Sequence, residues 1–156
     1  MTTATATCFC GEVQITIPVE GDDLIETFTC HCTDCRKITA SMFASNFMVK
    51  QSALKHIRGQ DKITVFSQSS TIASGNAMTN HFCSICGTLM YRCSSGYPDM
   101  AIPRIGTVDD LTLHETKLRP KTEIFTKSRV CWLSARDDMK QLIEGHPVRP
   151  KKLPRL

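Results

Sequence analysis

Nine cysteines in a chain of 156 residues constrain this protein more than any other feature. Seven fall into three short groups: Cys8-Phe9-Cys10-Gly11, then Cys30-His31-Cys32-Thr33-Asp34-Cys35, then Cys83-Ser84-Ile85-Cys86-Gly87. Cys93 and Cys131 stand alone. An odd count excludes a fully paired disulfide framework, and tight C-x-C and C-x-x-C spacing is what lets thiolates converge on one metal ion. The stretch Met1 to Thr7 has neither the basic nor the long apolar segment of a secretory signal. A reducing compartment, cytoplasm or nucleus, is therefore the expected location, and there clustered cysteines bind metal more often than they pair.

Ligand counting divides the cysteines into two sites. Cys83 and Cys86, followed by Gly87, read as a zinc knuckle, whose glycine lets the chain turn without a Cβ clash. A closed tetrahedral site needs two more ligands, and Cys8 and Cys10, with their own Gly11, supply them. This predicts a four-cysteine structural zinc joining the first residues to the middle of the chain. Cys30, Cys32 and Cys35 are left as three thiolates without an obvious fourth ligand, the arrangement a catalytic zinc with an open position requires. Water or a substrate thiol fits that position. Two other readings stay open. The second site is structural and completed by His31, His81 or Cys93, or the middle cluster holds no metal and consists of reactive thiols. His31 is the poorest ligand candidate, because neighbours on an extended strand point to opposite faces.

The hydrophobic fraction of 41% and charged fraction of 22% are those of a globular domain, and exclude a disordered chain, a coiled coil and a collagen-like repeat. No apolar run approaches the roughly 20 residues a membrane helix needs. The net charge of +4 is concentrated in 146–156, which holds Arg149, Lys151, Lys152 and Arg155 and no acid. Without those four, basic and acidic residues balance at fifteen each, so neither nucleic acid nor a membrane is an expected partner. Residues 1–145 read as one zinc-binding domain, followed by a basic, proline-containing tail over 146–156.

Alternation of Val13, Ile15 and Ile17 predicts a strand over 12–17. Further short strands are predicted at 24–32, 43–49, 63–66, 77–82, 88–91, 100–105 and 122–125, with a helical turn or two at 34–41. Ser134–Gly145 reads as a helix, with Ser134 as N-cap, Met139, Leu142 and Ile143 on one face, and Gly145 closing it. The expectation is a mainly β fold of antiparallel sheets with zinc knuckles and a short C-terminal helix.

The ordered set CxCG at Cys8–Gly11, CHCxxCRK at Cys30–Lys37, FCxxCG at Phe82–Gly87 and S-R-x-x-W at Ser128–Trp132 resembles the glutathione-dependent formaldehyde-activating enzyme family, which also includes the centromere protein V group. The resemblance implies an Mss4-like fold, a structural zinc on Cys8, Cys10, Cys83 and Cys86, and a second zinc on Cys30, Cys32 and Cys35. It also implies a carbon–sulfur lyase chemistry with glutathione as co-substrate, joining glutathione to formaldehyde to give S-hydroxymethylglutathione. Where members often carry H-I-W, this chain reads Glu123-Ile124-Phe125.

Around this reading other residues take expected roles. Arg36 and Lys37 follow the three-cysteine group and are placed to receive a carboxylate of the substrate, as is Arg129, although a solvated face and a structural salt bridge are the plainer alternatives. Asp34 reads as the N-cap of the short helix or as a group tuning the metal ligands. Glu123 is a candidate base. Phe43, Phe47, Phe66, Phe82 and Trp132 are expected in the core, with Cys93 and Cys131 as small buried apolar residues. The expected partner is a small-molecule thiol, in a monomer or a homodimer. The rival readings are a non-catalytic interaction protein of the centromere protein V type, and a zinc enzyme acting on another small thioether or carbonyl compound. The single short basic tail favours an enzyme.

Overall fold

The structure, a computed structural model, describes residues 2–146. Apart from His146, the basic tail lies outside the described residues.

Two sheets form the fold. The smaller pairs β1 (Thr3–Thr7), β2 (Gln14–Pro18) and β5 (Lys55–Arg58), all antiparallel. The larger adds β3 (Leu24–Cys30), β4 (Ala44–Lys50), β6 (Ile63–Gln68), β7 (Met78–Cys83), β8 (Leu89–Ser94), β9 (Tyr97–Pro103), β10 (Thr122–Ile124) and β11 (Lys140–Gln141). Its strand order is β11-β10-β3-β4-β9-β8-β7-β6. Two short α-helices, α1 (Thr33–Thr39) and α2 (Thr112–Glu115), and five single-turn 3-10 helices complete the regular elements of the described residues. The chain is mainly β, as its alternating patterns predict, and antiparallel except where β10 pairs in parallel with both β3 and β11.

Side-chain alternation produces two cores. Phe47 and Val49 of β4 join Ile15 and Ile17 of β2, with Tyr91 and Ala101, in the larger core between the sheets. Each fully buried side chain of this size stabilises the fold by roughly 1.5–3 kcal/mol. The opposite face of the large sheet carries Phe28, Cys30, Ala44, Ile102 and Ile124, covered by Cys35 of α1. This second, smaller core positions the three-cysteine group.

The expected helix over Ser134–Gly145 is not formed. Residues 134–139 are irregular, and Lys140 and Gln141 pair instead with Thr122 and Glu123. Leu142 N–H then donates to Glu123 O at 2.8 Å, and Phe125 N–H to Glu144 O at 3.0 Å. The free edge of β10 offers backbone groups that must be satisfied, and pairing with it also buries Met139. Tertiary pairing thus outweighs weak helical spacing. Of the five aromatic residues expected inside, Phe47 is in the core and Phe82 is half-buried, but Phe66 (56% exposed) and Trp132 (67%) face solvent, and Phe43 lies at the surface. Cys131 is exposed rather than buried, while Cys93 is half-buried against the larger core.

Candidate metal centres

Two tight turns create the first centre. Gly11 and Gly87 adopt φ of +83° and +74°, the left-handed region open to glycine, and each donates its N–H to the carbonyl of the cysteine that starts its turn. The turns face one another. Cys8, Cys10, Cys83 and Cys86 bring their sulfurs within 4.8 Å of one another. Cys8 Sγ lies 3.5 Å from Cys10 Sγ, which lies 3.7 Å from Cys83 Sγ. A tetrahedron with 2.3 Å zinc–sulfur bonds has edges of about 3.8 Å, so this donor set fits such an ion. Val13 N–H donates to Cys8 Sγ at 3.2 Å, and the Thr88 hydroxyl sits 3.2 Å from Cys86 Sγ. Hydrogen bonds of this kind favour thiolate over thiol. Cys86 is drawn down to about 5, its burial outweighed by the Thr88 contacts.

The second group closes through α1. Cys32 is the N-cap of the helix, its Sγ accepting from Cys35 N–H at 3.4 Å, and Ala40 ends the helix in the left-handed region. Cys30, Cys32 and Cys35 bring their sulfurs within 4.8 Å of one another. Among the described residues, neither His31, His81, Cys93 nor any carboxylate joins this trio. The Cys35 thiol is held well below the usual thiol range by sulfur hydrogen bonds from Cys30 and Cys32 and then by the charges of Arg92 and Arg104. The same sulfur contacts push Cys30 up. Nothing in the sequence reading pointed to these two arginines, which stand on β8 and just after β9.

His31 turns away from the trio. Its Nε2 lies 3.6 Å from Glu123 Oε1, and burial lowers its pKa. Glu123 pairs in register with Thr29, and so projects to the face opposite Cys30. There Arg129 Nη2 donates to Glu123 Oε2 at 2.5 Å and also to Gln141. The half-buried Arg129 therefore forms an ion pair with the buried Glu123, the plainer of its two expected roles. Asp34 is not the N-cap; it stands in the first turn of α1 and accepts from the Thr71 hydroxyl at 2.6 Å. Arg36 and Lys37 make no ion pair among the described residues, and there the one hydrogen bond of the Arg36 side chain is to Met42 Sδ at 3.5 Å.

A cleft of about 450 Å³ opens between the end of α1 and the Cys83–Cys86 turn. Ile38, Thr39, Phe43, Thr88 and Arg104 contribute to its walls. That volume is in the range of small-molecule sites. Among the described residues, no helix is long and apolar enough to cross a membrane.

Comparison with known proteins follows the same lines. The family model described as glutathione-dependent formaldehyde-activating enzyme matches residues 3–128. A crystal structure of a Rhodobacter sphaeroides protein from a structural genomics programme shares the fold. Its TM-score is 0.55 at 20% identity, covering 69% of this chain and 89% of that one. A search of curated proteins finds no significant match.

Proposed function

Because the chain belongs to the glutathione-dependent formaldehyde-activating enzyme family, we propose that it is a zinc enzyme that makes or breaks a carbon–sulfur bond in glutathione or a glutathione adduct. The observation that carries this reading is the three-sulfur group, which has no fourth protein ligand among the described residues; Ala44, the cross-strand neighbour of Cys30, helps to line the cleft of small-molecule size.

Cys8, Cys10, Cys83 and Cys86 hold a structural zinc, and Cys30, Cys32 and Cys35 hold a second one. Zinc at the second position supplies Lewis acidity and lowers the pKa of a thiol brought to it. The chain's own residues provide the rest. Cys32 and Cys35 are locked by the α1 N-cap, so the trio is preorganised. Arg36 and Lys37, which make no ion pair among the described residues, receive the carboxylates of the glutathione backbone. The cleft admits the aldehyde. In the addition the thiol releases its proton to water, the thiolate sulfur forms a bond to the aldehyde carbon, the carbonyl π pair moves to oxygen, and that oxygen takes a proton from water, giving S-hydroxymethylglutathione. Reversal gives the lyase direction.

The test is addition of formaldehyde and glutathione to the zinc-loaded protein, with S-hydroxymethylglutathione followed by exchange NMR. Acceleration over the uncatalysed equilibrium, lost in Cys32→Ala, is expected. No acceleration by a protein shown to hold two zinc ions overturns the named reaction.

A further inference from the structure

The large sheet places two guanidinium groups on the same face as the three-cysteine group. Cys30 lies opposite Ala44, Asn46 bridges to Arg104, and Ile102 lies opposite Arg92. Cross-strand partners and alternate residues along a strand share a face. Cys30, Asn46, Ile102, Arg104 and Arg92 therefore project to one side, under the helix that delivers Cys35. Arg92 is 9% exposed and Arg104 6%. Among the described residues no carboxylate pairs with either. Asn46 Oδ1 accepts from Arg104 Nη1, while the Asn46 amide donates to Ala44 O at 3.0 Å, which fixes the guanidinium. Arg104 Nε and Nη2 and Arg92 Nε are buried without hydrogen-bond partners among the described residues. Buried, unpaired cations are costly, so the sulfurs are the counter-charge that keeps them there.

We propose that Arg92 and Arg104 are positioning residues that fix the charge of the three-cysteine centre, so that its open position takes an anionic ligand in preference to a neutral one. This rests on reading Cys30, Cys32 and Cys35 as an open zinc centre. Three thiolates around a divalent ion leave one net negative charge. The two guanidinium groups turn that into one net positive charge. A single incoming anion, such as a thiolate, then makes the buried ensemble neutral, whereas a neutral ligand leaves a buried charge uncompensated. Charge thereby selects thiolate over thiol, and thiolate is the nucleophilic form.

Azide titrated into the cobalt-substituted full chain tests this, because the four-cysteine centre is coordinatively closed and the difference spectrum reports the trio alone. Saturable binding is expected in the unaltered chain. Arg92→Met and Arg104→Met, each retaining two metals per chain, are expected to bind azide at least about tenfold more weakly. Arg92→Lys and Arg104→Lys keep the charge and should stay within about threefold. Unchanged azide affinity in metal-loaded methionine variants overturns the inference, as does absence of azide binding in an unaltered chain that holds cobalt at the trio. Should the methionine variants not fold, the lysine variants decide: affinity kept supports the charge argument, and a tenfold loss overturns it. Azide binding without glutathione binding removes the glutathione reading but leaves this one standing. A trio that takes no metal removes both.

Discussion

Replacing Cys83 by alanine should cost far more stability than replacing Cys32, although both remove one sulfur ligand. Cys10 and Cys83 are 73 residues apart, and a cross-link over that span removes about 4 kcal/mol of entropy from the unfolded chain. The group from Cys30 to Cys35 closes a loop of six residues, worth about 2 kcal/mol less by the logarithmic dependence on length. Cys83 is also fully buried in the larger core, whereas Cys32 is half-exposed and caps α1, a loss of about 1 kcal/mol. A small domain holds only about 5–15 kcal/mol in total, so the first substitution approaches that reserve. The assay is urea unfolding at equal protein and trace zinc, with metal content measured by mass spectrometry. Cys83→Ala should be insoluble or unfold at the lowest denaturant. Cys32→Ala should unfold cooperatively, about 1–3 kcal/mol weaker, with one metal per chain. Equal losses, or the reverse order, refute the division into a structural and an open centre.

Arg129→Met strands Glu123 in a buried site and should destabilise the fold by about 3 kcal/mol, read from urea midpoints, with both metals retained. Arg36→Ala should instead leave stability within about 0.5 kcal/mol and weaken glutathione binding in calorimetry. His56 gives a pH signature. Burial lowers its pKa, so the unfolded chain binds the proton first. Its contribution to stability is present above the unfolded value of about 6.5 and is lost as pH falls from there towards the folded value. Relative to His56→Gln, the unaltered chain should lose stability between pH 7.5 and 5, with metal release common to both. A constant difference across that range contradicts a neutral, buried His56.

All eight predicted strands are present; their signal was apolar residues at a period of two, such as Ile15 and Ile17, or a short apolar run, such as Phe47 to Val49. β1 carries only a weak pattern in the sequence: Thr3, Thr5 and Thr7 alternate with Ala4 and Ala6, and alanine buries little. β5, with Lys55, His56 and Arg58 around one isoleucine, carries no such pattern, and its place is set by pairing with β2. The helix expected at 134–145 became an irregular stretch and a two-residue strand because β10 offered an unpaired edge, which no local propensity can announce.

Cysteine spacing alone determined which sulfurs belong together, because ligand number and turn geometry at a metal are local chemistry. Only the tertiary structure decided what surrounds them. Asn46 of β4, Arg92 of β8 and Arg104 just after β9 were placed on the face of Cys30 by register, while Glu123 and His31 went to the other. A side chain's face follows from strand pairing, and pairing is a long-range choice made by burial across the whole sheet.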